Sequence, residues 1–407
     1  MSETQTAKKS ATEQWIERFE SNLWDVVFGR RRLVLARGEG ARVWDIEGNE
    51  YLDFLAGVAV NNLGHCHPAV VEAIRKQASE LIHCSNLYYI PAQIEWAEIL
   101  NKHSFGGRIF FSNSGAEANE GVIKLARKYA SVHFAPARRT IITFRGSFHG
   151  RTLATLSATG HEKLQHGFEP LMPGFKYAPY NDCEAVRAAV DDEVCAILVE
   201  PVLGEGGVVP ATQAFMDTLA ELREKHGLLL LFDEVQTGLA RTGKNFGYEH
   251  YGIVPDAMTL GKSIAGGLAA GAVIAQPEVA EVMTRGTHGS TMGGNPMAAA
   301  AGRAYCKVLF EERLAERAAH LGGKALAEMR RWVGAIPCIK EARGLGLLLG
   351  VELDRPGTPL VDRCEKRGLL INCTVDTVIR LAPPLIVSEA EIAKALGILR
   401  EELEKEK

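Results

Sequence analysis

Two charged side chains stand where chemistry is readily built. Asp233 follows the apolar run Leu228-Leu229-Leu230-Leu231-Phe232, and Lys262 follows Ala257-Met258-Thr259-Leu260-Gly261 and precedes Ala265-Gly266-Gly267-Leu268. A short apolar run that stops at an acid reads as a strand buried on both faces of a parallel sheet, delivering the acid to a ligand crevice. A lysine wrapped in glycines, which let other atoms approach closely, is a candidate amine nucleophile. The plainer readings are a helix-capping Asp233 and a surface Lys262, and neither residue alone decides between them. Gly261-Lys262-Ser263 imitates the end of a phosphate-binding P-loop, but that motif needs a glycine where this chain has Asp256.

Other chemistry-bearing clusters also follow apolar runs. Arg108-Ile109-Phe110-Phe111 leads into Ser112-Asn113-Ser114-Gly115-Ala116-Glu117, where the Ser114/Glu117 spacing predicts a capping box and a helix start. Free N–H groups at such a turn, with the positive end of a helix dipole behind them, bind phosphate; the plainer reading is a cap and nothing more. Ile141-Ile142-Thr143-Phe144 empties into Arg145-Gly146-Ser147-Phe148-His149-Gly150-Arg151-Thr152, and the run from Val194 to Val199 into Glu200-Pro201-Val202-Leu203-Gly204-Glu205-Gly206-Gly207. His65-Cys66-His67 contains zinc-ligand residue types, but adjacent ligands cannot all point at one tetrahedral ion. His67-Pro68 is better read as opening a helix from Pro68 to His83.

Strands near 110, 142, 197, 230 and 258, separated mostly by helical stretches, predict an α/β protein with a mostly parallel sheet covered by helices. Ala272 to Ala275 adds a strand, and Pro296 opens a helical stretch expected to run to about Trp332. Strands are also expected at Gly346 to Glu352, Leu369 to Asn372 and Val378 to Leu381, with a closing helix from Ser388. Gly344-Leu345-Gly346 lacks the third glycine of a dinucleotide fingerprint and reads as the lead-in to a strand. With the short strands expected near Leu33 to Leu35, Ala41 to Trp44 and Tyr51 to Leu55, this tail would form a smaller domain. The division is then residues 1–66 and 306–407 around a large domain of 67–305. At 407 residues two structural units are the natural expectation.

A formal net charge of -4 argues against a nucleic-acid surface or a polybasic membrane patch. Eight cysteines without a C-x-x-C pair read as reduced, buried small hydrophobes. No window approaches the roughly 20 apolar residues of a membrane span, and Met1 to Gln14 is polar; a cytoplasmic location is expected.

A strand-end acid, a glycine-wrapped amine, a phosphate-binding helix start and a crevice aromatic are together what pyridoxal 5′-phosphate requires of a protein. The stretches Ser112 to Glu120, Phe148 to Thr152, Glu200-Pro201 with Gly204 to Gly207, Asp233 to Gly238 and Leu260-Gly261-Lys262 resemble, in order and along nearly the whole chain, the motifs of the class III (ω-)aminotransferases. Gly57 to Asn61, Gly64 to Pro68 and Ser85 to Tyr89 most resemble the branch of that family that uses N-acetylornithine. The resemblance implies a type I pyridoxal-phosphate transferase fold, large domain plus smaller α+β domain, and a homodimer with shared active sites. It implies that Lys262 bonds to the cofactor's aldehyde carbon and later shuttles a proton, that Asp233 pairs with the ring nitrogen and that Gln236 reaches the phenolic oxygen. Phe148 would stack on the ring, the turn at Ser114 would give the N–H groups of Gly115 and Ala116 to the phosphate, and Thr291 would reach the phosphate in the partner subunit. Arg151 and Arg380 would bind the carboxylates of N-acetylornithine and 2-oxoglutarate, with Glu205 covering Arg380 when no carboxylate is there. Val58, where ornithine-specific members have a tyrosine, implies an apolar, roomier pocket suited to an acylated amine. Succinylornithine or succinyl-diaminopimelate are the alternative substrates, and a non-catalytic protein of the same fold the distant alternative.

Overall fold

A computed structural model describes residues 9–27 and 29–406. Its longest sheet has seven strands, in the spatial order Arg108–Ser112, Gly271–Ala275, Ala257–Leu260, Leu229–Asp233, Val194–Val199, Thr140–Phe144 and Phe175–Ala178. The last five are mutually parallel, and Gly271–Ala275 runs antiparallel to both its neighbours. Every residue of Leu229–Asp233 is buried. Its side chains alternate between two apolar layers: Leu230 and Phe232 share one with Phe215 and Leu219 of the helix Gln213–His226, while Leu229 and Leu231 share the other with Val122 and Leu125 of the helix Gly115–His133. A strand covered on both faces has no use for alternating polarity, which is why its sequence is an unbroken apolar run. Each such side chain contributes about 1.5–3 kcal/mol by leaving water, so the end of this strand is a rigid place to mount an acid.

Two smaller sheets join the ends of the chain. Leu35–Glu39, Arg42–Asp45 and Glu50–Asp53 form a meander, to whose edge Leu369–Leu370 adds in parallel with Leu369 opposite Leu52. Ile339–Leu345, Leu348–Leu353, Val378–Leu381 and Asn372–Thr374 make an antiparallel sheet that carries Arg380 between Gly350 and Asn372.

Several sequence expectations need correction. The stretch from Pro296 to Trp332 is two helices, Pro296–Glu311 and Leu314–Trp332, broken where Arg313 takes a left-handed φ of 53°. Gly344-Leu345-Gly346 does lead into a strand, Leu348–Leu353, but through a hairpin turn, because Gly344 and Leu345 also end a preceding strand, Ile339–Leu345, that was not expected. The expected strand Leu369 to Asn372 is split, its first half in one small sheet and its second in the other. The edge strand Phe175–Ala178 and the helix Pro91–His103 carry too weak a pattern to be read from sequence; the helix lies against Pro296–Glu311, where tertiary packing stabilises it. All eight cysteines are free, four of them buried. Among the described residues no helix is long and apolar enough to cross a membrane.

Candidate active site

The carboxyl ends of the five parallel strands lie at one edge of the sheet, where ligands bind in an open α/β sheet. Asp233 is the last residue of its strand and is buried. Its Oδ2 accepts from Asn119 Nδ2 at 2.7 Å and lies 2.7 Å from His149 Nδ1, while its Oδ1 accepts from the Val235 N–H at 3.0 Å. An ionised carboxylate only accepts, so Nδ1 of His149 carries the proton. Asn119 is itself held by Thr259, whose hydroxyl donates to Asn119 Oδ1 at 2.8 Å, and by its second donation to the His149 carbonyl at 2.8 Å. The aspartate is thus aimed from three sides.

Lys262 lies two residues past Leu260, on the strand adjacent to that of Asp233, and opens the 3-10 turn Lys262–Ala265 with a left-handed φ of 46°. A non-glycine residue in that region is strained, and such strain collects at functional sites. Some of its side chain keeps solvent contact, but burial of the amine pushes its pKa below the usual lysine value, opposed chiefly by the charge of Glu205. Among the described residues no hydrogen bond or ion pair engages this amine.

The helix Gly115–His133 begins against both loops. A side chain on Gly115 would meet Val235 Cγ1 at 2.6 Å, and one on Gly261 would meet Gly115 Cα at 2.9 Å, so two glycines let the helix start press between the residues after Asp233 and the residue before Lys262. The predicted capping box is only half formed: the Ser114 hydroxyl accepts from the Glu117 N–H at 3.1 Å, but the Glu117 carboxylate accepts from the N–H and side chain of Asn113 instead of the Ser114 N–H. The N–H groups of Gly115 and Ala116 belong to the first turn, whose donors have no partner within the helix.

A charged cluster closes the other side. Arg380, 2 % exposed, donates to Glu205 Oε1 at 2.6 Å, to Gln236 Oε1 at 3.3 Å and to the Gly204 carbonyl at 3.3 Å; Gln236 Nε2 in turn donates to Glu205 at 3.3 Å. Burial would raise the pKa of Glu205, but the charges of Arg380 and Lys262 outweigh it and hold this carboxyl at about 2. Glu200 is buried behind the cluster and accepts from the N–H groups of Phe148, at 2.8 Å, and Gly204, at 3.2 Å; burial and the Asp233 charge push it up to about 7. Phe148 is half-buried, with the exposed Arg151 guanidinium 5.5 Å from its ring centre.

The profile of the class-III aminotransferases matches residues 28–403. The acetylornithine aminotransferase of Caldanaerobacter subterraneus subsp. tengcongensis is 52% identical over 373 residues, covering 91% of this chain and 95% of that protein. The chain belongs to the class-III aminotransferases. Among solved structures, the ornithine aminotransferase of Toxoplasma gondii, described with partial occupancy of PLP at its active site, superposes with a TM-score of 0.93 at 35% identity, covering 96% of this chain and 94% of that one. The acetylornithine aminotransferase of Elizabethkingia anophelis gives 0.86 at 34% identity, covering 98% and 100%. This class-III aminotransferase therefore has the type I fold of the pyridoxal-phosphate-dependent transferases.

Within this aminotransferase, Asp233, Lys262, Gly115, Ala116, Ser114, Phe148, Gln236, Glu205 and Arg380 converge through the contacts above. Val58 is half-buried on a turn packed against that of Lys262. Thr291 is exposed, on a loop held through Ser290 by Asn86 and Asn113, and no hydrogen bond joins it to the cluster among the described residues. Sequence reasoning missed Asn119 and Thr259, which aim Asp233, and the orienting role of His149. His149 stands next to Phe148 in a cluster already singled out. Nothing in the sequence ties Asn119 to an acid 114 positions away.

Proposed function

We propose that this aminotransferase moves the terminal amine of N2-acetyl-L-ornithine to 2-oxoglutarate, giving N-acetylglutamate 5-semialdehyde and L-glutamate, a step of arginine biosynthesis, with pyridoxal 5′-phosphate as cofactor. The observation that carries this reading is the buried Arg380 neutralised by Glu205 at 2.6 Å beside Lys262. An acylated diamine brings an ammonium to the pocket and 2-oxoglutarate brings a carboxylate, so one arginine serves both only if its charge can be covered and uncovered. The acetylornithine aminotransferases at 45–52% identity, together with Val58 in the turn beside Lys262, favour an acylated amine.

The residues fit the cofactor. Unengaged first-turn N–H groups at Gly115 and Ala116 suit its phosphate, the unengaged amine of Lys262 its aldehyde, and the aimed carboxylate of Asp233 its ring nitrogen. When bound, it supplies an electron-withdrawing ring and a carbonyl that carries an amine from one substrate to the other. Asp233, anchored by Asn119 and His149, keeps a negative charge where a protonated ring nitrogen needs one. Burial keeps more of the Lys262 amine neutral, able to bond a carbonyl carbon and, once free, to move a proton at the substrate carbon. Arg151 holds the far carboxylate of either substrate, and Glu205 swings from Arg380 when 2-oxoglutarate arrives.

A homodimer in the cytoplasm completes the proposal, with Thr291 facing the partner subunit's cofactor and residues 1–66 and 306–407 flanking a large domain of 67–305. Leu87, Tyr88 and Tyr89, 87%, 69% and 92% exposed beside Asn86, are an apolar surface of the kind subunit contacts cover.

Steady-state kinetics test the reading. Ping-pong behaviour is expected, with kcat/KM for N-acetylornithine at least about tenfold above that for ornithine or γ-aminobutyrate. A preference of that size for either competitor overturns the substrate assignment, and a comparison with succinylornithine and succinyl-diaminopimelate decides the acyl group.

A further inference from the structure

Four consecutive residues adopt left-handed backbone: Ala56 at φ 49°, Gly57 at 65°, Val58 at 64° and Ala59 at 59°. Together they make a single left-handed helical turn, a conformation that L-residues visit singly and that disfavours β-branched valine most of all. Gly57 alone takes it freely. Such strain persists only where the surroundings over-determine it, and here both ends of the turn are fastened.

At the leading end, the buried Asp53 accepts from the N–H groups of Leu55 at 3.0 Å and Ala56 at 2.8 Å through Oδ1, and its Oδ2 lies 2.7 Å from Nε2 of His65. His65 is itself tied down: its backbone exchanges hydrogen bonds with Gly40 at 2.8 and 3.1 Å, and its ring occupies the space a side chain at Gly38 would take. At the trailing end, Ala59 packs among Val202, Val208, Leu348 and Ala382, on the segments that carry Glu205 and Arg380. Ala56 and Ala59 are buried, which leaves Gly57 and Val58 as the outward edge of the turn, beside the turn of Lys262.

We propose that Asp53 and His65 are a positioning pair that holds the left-handed turn Ala56–Ala59 and so sets the width of the substrate pocket at Val58. The proposal rests on the reading of Val58 as a wall of that pocket. His65 acts through Asp53 and touches no reacting atom. Without it, Asp53 loses its orientation, the turn relaxes toward ordinary backbone, and Val58 no longer defines one pocket width for an acylated chain.

The test compares wild type, His65→Ala and His65→Gln, the last keeping an N–H donor for Asp53. In His65→Ala, hydrogen exchange at the Leu55 and Ala56 amides should quicken about tenfold, as expected when hydrogen bonds to a charged acceptor weaken, with the Leu229–Asp233 strand unchanged. KM for N-acetylornithine should rise while kcat holds within about twofold, the kcat/KM ratio over ornithine should narrow by about tenfold, and His65→Gln should restore both. Unchanged exchange at Leu55 and Ala56 overturns the proposal, as does faster exchange spread over the whole molecule or an unchanged substrate ratio. If wild type does not prefer an acylated donor, the substrate reading fails, and the exchange measurement still decides whether the pair holds the turn.

Discussion

Under the proposed function, Arg380 has to serve in two chemical contexts. A guanidinium buried without a partner carries a heavy desolvation penalty, and Glu205 offsets it at 2.6 Å while remaining ionised at any working pH, its carboxyl being held at about 2. Glu205→Gln keeps the shape and removes the charge. Arg380 would then repel the ammonium end of the amine donor while still welcoming a carboxylate. kcat/KM for N-acetylornithine is expected to fall by about ten- to a hundredfold, one to two steps of 1.4 kcal/mol, with that for 2-oxoglutarate within a few-fold of wild type. Equal losses on both half-reactions, read by single-turnover kinetics, would remove the switching role from Glu205.

At the scale of elements, the start of the helix Gly115–His133 must fit between two loops that belong to different strands. Alanine at Gly115 improves helix propensity by up to about 1 kcal/mol. Its Cβ, however, would lie 2.6 Å from Cγ1 and 2.9 Å from Cγ2 of Val235, a β-branched side chain with little rotamer freedom. Overpacking costs about 1–3 kcal/mol, so the clash wins and the helix start is pushed away from Val235. Gly115→Ala should therefore weaken cofactor binding by about tenfold or more, measured by titrating the cofactor into apoprotein. Tighter binding would show that Val235 yields and that propensity dominates.

Across the whole molecule, the parts are knitted by Arg241. Fully buried, it donates to the carbonyls of Leu347 at 3.0 Å and Pro383 at 2.6 Å and to Asn62 Oδ1; Asn62 continues to the Ser263 hydroxyl at 3.2 Å, next to Lys262. Burial pulls its pKa down to about 10, which leaves it charged at neutral pH. One side chain thus joins the amino-terminal segment, the carboxy-terminal sheet and the lysine turn. Arg241→Ala leaves three acceptors unsatisfied around a cavity, and a loss of roughly 3–5 kcal/mol in denaturant unfolding is expected. Arg241→Lys should recover little, because one ammonium cannot reproduce a planar fork reaching separate acceptors. A loss below about 1 kcal/mol would show that solvent replaces the network.

The sequence by itself determined the parallel core and the placing of Asp233 and Lys262 after its strand ends. Apolar runs such as Leu228 to Phe232 encode burial on both faces, and residues that follow such runs emerge at one edge of the sheet, so the sequence pattern alone brings Asp233, Lys262 and the Gly115 turn together. What only the tertiary structure decided are the partners that arrive from far along the chain and the backbone that departs from its local preference. Asn119 and His149 meet Asp233 through helix and loop packing, and Leu369 pairs with Leu52 in the amino-terminal sheet. Local patterns carry no trace of these pairings, because hydrogen bonds and ion pairs depend on approach in space. The left-handed turn at Val58 is the extreme case: valine's own preference opposes it, and the hydrogen bonds of Asp53, which His65 meets from its other oxygen, and the packing of Ala59 fasten its ends.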